Sequence, residues 1–361
     1  MKINNFAGLF DEQNVLAKLT HLGDPLVLIE RYIDFELFRT VLHGFVGRKE
    51  NTIGAKLGRG RPAYDVVVMI KILFIQRLFN LSDAQLEFQI NDRMSFRRFL
   101  YIPLSNAVPD SRTIWAFREQ LNSNNAKGED RSRILFDLFL QQLNQKGFIA
   151  KEGKMMDATI VSVPVQRNSK GDNETIKAGN IPEKFTEKPA KLAQKDTDAR
   201  WTQKRKVNYF GYKNHVKAET KNKFITDFVI TDAAVHDSVP ACDLLNEQDK
   251  GEDFYADSAY QTPEIKQKLE SLGMKQQIVE RAYRNKALTD EQKLSNKEKS
   301  HKRARVEHIF GFMHTSMNDG AFIRNIGIAR AKMVLGLNNL VYNMCRYVQV
   351  EQMALRLAVA G

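Results

Sequence analysis

The sequence predicts an α/β protein in which an all-α N-terminal part precedes a mixed-sheet domain, and three observations carry that prediction. Apolar residues recur at helical spacing through roughly the first 150 residues. From Lys154 onward, strand-like runs alternate with helices. Three carboxylates, Asp157, Asp257 and Glu307, stand on those later elements. A carboxylate taken out of water costs several kcal/mol or more unless it is paired or holds a metal.

The chain has 361 residues, enough for two or three domains, and a formal charge of +12, which favours a polyanionic partner. Charge sets the partner class and leaves the chemistry open. Cys242 and Cys345 lie far apart with no paired Cys-x-x-Cys, which argues against a disulfide framework and a cysteine-based zinc site. The N-terminus MKINNFAGLF has no long apolar run, and the most apolar stretch, Val66 to Phe79, is interrupted by Lys71 and Arg77. No membrane span is expected, and the reading is of a soluble, cytoplasmic chain.

Taken in order, residues 1–55 hold an amphipathic helix over Pro25 to Leu42, with Leu28, Ile29, Tyr32, Ile33, Leu37 and Phe38 on one face. A basic connector, Lys56-Leu57-Gly58-Arg59-Gly60-Arg61-Pro62, opens a second segment, 56–150. Arg59 and Arg61 can lie along a phosphate backbone or simply be solvated. Tyr64 to Phe79 reads as an apolar helix; Ser82-Asp83-Ala84-Gln85 has capping-box spacing and opens a helix to about Asn91. Ser95 is placed to cap a short helix over Phe96 to Leu100, and Val108 to Thr113 forms a turn leading into Ile114 to Leu121. Short helices with tight turns, carrying Arg97, Arg98, Arg112 and Arg118 on their polar sides, resemble a helix-turn-helix-like DNA-binding module. A helix over Asp130 to Gln145, stopped by Gly147, delivers the chain to the Asp157 strand.

The third segment, 151–361, opens on that strand, Lys154 to Val161. Gln166 to Val207 is polar and net basic, with few large apolar residues, so it reads as a partly disordered insertion that DNA would order. A hairpin follows, Tyr209 to Ala218 and Phe224 to Thr231; then a helix over Val239 to Gln248, a strand ending at Asp257, a helix from Thr262 to Leu272, and a strand over Met274 to Val279. A basic loop leads to a helix carrying Arg303 and Glu307. Strand, insertion, strand, strand, helix, strand, helix, strand, loop, helix is the order of a ribonuclease H-like fold, and the three carboxylates fall on the elements that bear its metal ligands.

Such a carboxylate set suits phosphodiester cleavage and strand transfer. That chemistry uses two divalent ions, about 3.5–4 Å apart, to activate the attacking oxygen and stabilise the leaving one. Mg²⁺ prefers carboxylate and water ligands, usually one or two carboxylates plus substrate phosphate. On the last helix of this series Val306, Ile309, Phe310, Met313 and Met317 make the buried stripe, while Arg303, Glu307 and His314 share a neighbouring one. Arg303 and Glu307 can equally be an exposed i,i+4 pair worth a few tenths of a kcal/mol. Tyr212, Lys213 and His215 are expected on the hairpin beside the site, in reach of phosphate or simply solvated; alternation puts Lys213 and His215 on one face. His236, next to Asp232 and Asp237, lacks the partners a zinc site needs.

These residues also carry a resemblance. GRPAYDVVVMIKILFIQRLFNLSDAQLEFQINDRMSFRRFL with VPDSRTIWAFREQL, then MMDATIV, YFGYKNHVK, FYADSAY, RARVEHIFGFM and IRNIGIARAKMVLGLNNLVYNMCR, resemble in order the blocks of bacterial insertion-sequence transposases of the DDE type, closest to the insertion-sequence-five family within the insertion-sequence-four group. The resemblance implies metal-dependent excision and insertion of a mobile element between terminal inverted repeats. It implies Asp157, Asp257 and Glu307 as ligands of two Mg²⁺ or Mn²⁺ ions, double-stranded DNA as partner (inverted repeats and target), and a homodimer on DNA. In the group's Tyr-x2-Arg-x3-Glu-x6-Lys signature, Arg303 and Glu307 match, whereas Ser300 and His314 stand in the Tyr and Lys positions. A neutral imidazole is a weaker phosphate partner than an ammonium. A ribonuclease H-like nuclease and a non-catalytic DNA binder derived from such an element are the alternatives.

Overall fold

Lys154–Ser162 forms strand β1, and Met155 and Met156 on it are fully buried, so both faces of the sheet are covered at this point. The computed structural model describes residues 11–46, 63–122, 130–282 and 287–360. Arg59, Arg61 and the connector that carries them lie outside the described residues. The described chain divides into two compact units, one within Met1–Ser123 together with Met344–Gly361, the other within Asn124–Asn343.

The first unit is helical. Its longest helix before the C-terminal one, Val66–Leu78, is buried almost all round and starts where Asp65 accepts the backbone N–H groups of Val67 and Val68. Ser82 and Gln85 make the expected reciprocal cap of Asp83–Asp92. Two sequence expectations change here. The helix anticipated over Pro25 to Leu42 is broken into Pro25–Tyr32, a 3₁₀ turn Phe35–Phe38 and Arg39–Val46, because Asp34 caps Glu36 and restarts the chain. Ser95 caps nothing: it lies inside Met94–Leu100, which begins after Arg93 without a side-chain cap.

The second unit is built on a six-stranded sheet. Its strands are β1, β2 (Arg200–Lys204), β3 (Val207–Glu219), β4 (Ile225–Asp232), β5 (Asp253–Ala256) and β6 (Lys275–Ile278). The order is β2–β3–β1–β5–β6, with β4 also on β3. β3 runs antiparallel to β1, β2 and β4, while β5 lies parallel to β1 and β6 parallel to β5. Three antiparallel strands followed by parallel ones is the ribonuclease H-like arrangement that the element order predicts. Under one face, Met156, Phe254 and Ala256 pack with Ile265 and Leu269 of helix Pro263–Ser271, which Thr262 caps and Gly273, at φ 61°, ends. On the other face Asn214 of β3 is hydrogen bonded to Asn339 of the C-terminal helix Ile328–Ala360 at 2.9 Å.

Three further expectations are corrected in this unit. The insertion is ordered: it forms helices Lys170–Lys177, Glu183–Thr186 and Pro189–Leu192 and ends in β2. Its few apolar residues suffice because polar groups are buried in partnership. Phe185, 1% exposed, is surrounded by the ammonium groups of Lys184, Lys191 and Lys195. Buried Asp196 accepts hydrogen bonds from the Tyr212 hydroxyl and the backbone N–H groups of Asp198, Ala199 and Gly327. Second, the helix anticipated over Val239 to Gln248 shrinks to Ala241–Leu244, since Leu245 is extended and Asn246 caps a separate 3₁₀ turn. Third, the basic loop before Glu307 is largely helix Asp290–Arg303, opened by a Thr289–Gln292 capping box; without an apolar period it carried no signal.

Candidate active site

Asp157 sits in the middle of β1, about four-fifths buried, with the backbone N–H of Ala158 donating to its Oδ1 at 2.8 Å. β5 lies alongside in parallel register, Lys154 opposite Phe254 and Met155 opposite Tyr255. Carrying that register on brings Asp257, one residue past the end of β5, beside Asp157. There Asp257 caps the 3₁₀ turn Ser258–Tyr260 by accepting the Ala259 N–H at 2.8 Å. Burial pushes the Asp157 carboxyl up to about 6; the nearby Asp257 charge adds to the rise, while the Ala158 N–H, Arg303 and Lys204 oppose it.

The third carboxylate arrives on a helix start. Asp290–Arg303 ends, a 3₁₀ turn Ala304–Val306 intervenes, and Glu307 opens helix Glu307–Thr315. Val306, Ile309, Phe310, Met313 and Met317 are buried, as their spacing predicts, which fixes the rotation of this segment. Lys302 donates to the Tyr255 hydroxyl at 3.0 Å and lies over its ring, docking the helix end on β5. Arg303 then joins the site from both sides: Nη1 is 3.5 Å from Asp157 Oδ2, and Nη2 donates to Glu307 Oε1 at 3.0 Å. Glu307 is thus one guanidinium away from Asp157, with its side chain 61% exposed. Among the described residues no three carboxylate, imidazole or thiol groups are gathered closely enough to hold one ion. Asp157, Asp257 and Glu307 offer hard oxygens of the kind Mg²⁺ prefers, and Glu307 would have to leave Arg303 to join such a set.

The other anticipated DNA contacts separate into groups. His314 is exposed, with Nδ1 3.1 Å from Asp319 Oδ1, and Arg112 is exposed on helix Ser111–Leu121. Tyr212 and His215 are fully buried, which corrects their placement on DNA. Tyr212 donates to Asp196, and His215 Nε2 lies 2.9 Å from Thr231 Oγ1. Tyr212, paired with Val161, is on the Asp157 face and is covered by the insertion through Asp196. For His215 register gives the reason: β3 pairs Val216 with Asp157, His215 with Ala158 and Lys213 with Ile160, so Lys213 and His215 share the face opposite Asp157. Lys213 is spent there on the Val235 carbonyl and Asp237, at 2.7 and 2.8 Å. Arg97 and Arg98 are also occupied: Arg97 binds Asn91 and the carbonyls of Pro103 and Asn106, and Arg98 binds Asp24, Thr20 and the Leu16 carbonyl. Arg118 is paired with Asp83. His236 is hydrogen bonded to Ser238, and both cysteines are free thiols.

Two residues at the site escape sequence reasoning. Tyr260 is 1% exposed, its hydroxyl has no hydrogen-bond partner among the described residues, and burial together with Asp157, Asp237 and Asp257 raises its pKa well above the usual phenol value. Its place one 3₁₀ turn after Asp257 is the only signal that could have marked it. Lys204, whose charge is felt at Asp157, lies in the insertion, at the end of a strand that no turn motif announces.

Asp157 on β1 and Asp257 just past the end of the parallel strand β5, with Arg303 and Glu307 beside them on a ribonuclease H-like sheet, form an arrangement compatible with metal-assisted phosphoryl transfer in nucleic acid. Residues 151–344, more than half of the chain, match the family described as Transposase DDE domain, and residues 13–120 match Transposase domain (DUF772). The chain belongs to the DDE transposase family, in the architecture of the insertion-sequence-four and insertion-sequence-five type; it is an enzyme of DNA transposition and recombination, in a family that depends on divalent metal. Among solved structures, a Mos1 transposase paired-end complex with left transposon end aligns over 88% of this chain and 99% of that one, at 9% identity and a TM-score of 0.20, too low for a common fold to be read from it. No described helix is long and apolar enough to cross a membrane.

Proposed function

We propose that this transposase excises and inserts an insertion sequence at its terminal inverted repeats, with Asp157, Asp257 and Glu307 as ligands of two Mg²⁺ or Mn²⁺ ions. The observation that carries this reading is Asp157 on β1 with Asp257 just past the end of parallel β5, and Arg303 linking Asp157 to Glu307. Bound there, the ions would supply charge neutralisation and a more acidic water at the scissile phosphate. Once Arg303 is released from the two carboxylates, its guanidinium faces the phosphate oxygens, which it can bind in bidentate fashion. His314, in the position of a lysine in related chains, adds a phosphate contact when protonated. The helical segment 56–150 takes the DNA-binding role through exposed Arg112 and, in the connector, Arg59 and Arg61. Two element ends must be held together, so the working form is a homodimer on double-stranded DNA, nucleoid-associated in the cell.

The test is incubation of the protein with a labelled inverted-repeat end and a target duplex in Mg²⁺ or Mn²⁺. Metal-dependent joined products are expected from the wild type, and Asp157→Ala is expected to bind the end yet yield no product. Cleavage of any duplex without joining would replace this reading with a nuclease, and protection without cutting would replace it with a DNA binder.

A further inference from the structure

The insertion ends in a ribbon that the carboxylate chemistry leaves without a task. β2 and β3 form a tight hairpin in which Lys204 pairs with Val207 across the two-residue turn Arg205-Lys206. Both turn residues have positive φ, 50° and 67°. Two-residue hairpin turns of this hand favour Asn-Gly or Asp-Gly, because a Cβ in the left-handed region costs about 1–2 kcal/mol per residue. Here two cations fill it. Lys204, Arg205 and Lys206 are all exposed, three like charges in a row at a strained tip.

The ribbon is also firmly seated. At its base Gly211 has φ 155° and pairs with both Ser162 of β1 and Arg200 of β2; a Cβ there would stand 2.1 Å from the Val161 carbonyl oxygen. Only glycine lets β3 approach the Asp157 strand this closely. Trp201 packs against Phe210 at 5.2 Å between ring centroids, stiffening the two strands above that base. Ser162, on which that base rests, ends the strand that carries Asp157, so the ribbon and the carboxylates are built on one strand pair.

We propose that the β2–β3 hairpin is a DNA clamp, in which Lys204, Arg205 and Lys206 grip backbone phosphates of the duplex entering the carboxylate site, without regard to base sequence. Its position at a reacting centre rests on the function proposed above, whereas the grip itself needs only the phosphate backbone. Neutralising three phosphate contacts releases about three counterions, so their loss flattens the salt dependence of binding.

The experiment measures affinity of the full chain for a fluorescent duplex between 50 and 300 mM salt (about that range) in metal-free buffer. The test variant is Lys204→Gln/Arg205→Asn/Lys206→Gly, whose Asn-Gly turn suits the backbone; its melting temperature should equal or exceed that of the wild type. A control variant, Lys250→Gln/Lys266→Gln/Lys275→Gln, removes three other exposed lysines. The clamp predicts that the slope of log K against log salt falls by about 2–3 in the hairpin variant, with affinity down on the order of a hundredfold at 0.1 M salt, and stays unchanged in the control. An unchanged slope in the folded hairpin variant, or equal losses in both variants, overturns it. Metal-dependent cutting by the wild type is scored separately. If the wild type cuts and the hairpin variant binds normally, only the clamp fails; if the wild type never cuts, the carboxylate reading fails and the slopes still judge the clamp.

Discussion

Arg303 reaches Asp157 at 3.5 Å and Glu307 at 3.0 Å, so the helix carboxylate is tethered to a cation rather than turned toward the strand pair. An exposed Glu307 side chain has room to rotate once phosphate competes for the guanidinium. On the opposite face, His215 illustrates a different use of a titratable group. It is fully buried, its Nδ1 has no partner among the described residues, and burial, only partly offset by Asp237, lowers its pKa from 6.5 to about 4. The folded protein therefore binds fewer protons than the unfolded chain between these values. Stability contributed by the neutral ring is fully present above about pH 6.5 and is lost as pH falls through about 4. The loss is on the order of 3 kcal/mol. Urea unfolding at pH 7 and pH 4.5 should show a drop in the wild type that His215→Gln largely removes; identical drops would refute it. Asp157 and Asp257 were legible because each interrupts or ends an apolar run where a carboxylate needs a reason. The burial of His215 was not, since which face of β3 meets the site depends on a one-residue parity set by pairing with β1, nor was that of Tyr212, which Asp196 of the insertion holds.

At the scale of elements, local chemistry decides how much can be read. Helices with a side-chain cap and a turn residue were anticipated within a residue or two: Asp83–Asp92 by Ser82 and Gln85, Pro263–Ser271 by Thr262 and Gly273. The order of the insertion is not legible because its anchors are hydrogen bonds and cations around one ring, which apolar periodicity does not register. The β2–β3 hairpin was missed because Arg205-Lys206 stands where a Gly-containing turn would signal it. Gly211 makes the cost of this element testable. Gly211→Ala would combine an unfavourable φ with a 2.1 Å approach to the Val161 oxygen, and should destabilise the fold by about 3 kcal/mol or more, read as a lower denaturation midpoint. A midpoint equal to that of the wild type would show that β3 need not lie so close to β1.

At the scale of the whole molecule, a linear order of strands and helices specified a topology that neither composition nor charge could. Antiparallel β1, β3 and β4 followed by parallel β5 and β6 bring residue 257, just past the end of β5, beside residue 157 of neighbouring β1, a hundred positions away in the chain. The final helix start, whose buried stripe Val306–Ile309–Met313 fixes its rotation, brings Glu307 to the same side as Asp157. The proposed chemistry requires that these three carboxylates bind metal together during cleavage. A thiolate is a poor ligand for hard Mg²⁺ and a better one for Mn²⁺. The decisive measurement is end cleavage by Asp157→Cys, Asp257→Cys and Glu307→Cys in each metal. All three should lose on the order of a hundredfold or more in Mg²⁺ and recover part of it in Mn²⁺. Undiminished cleavage by Glu307→Cys in Mg²⁺, or losses equal in both metals, would contradict a shared three-carboxylate metal site.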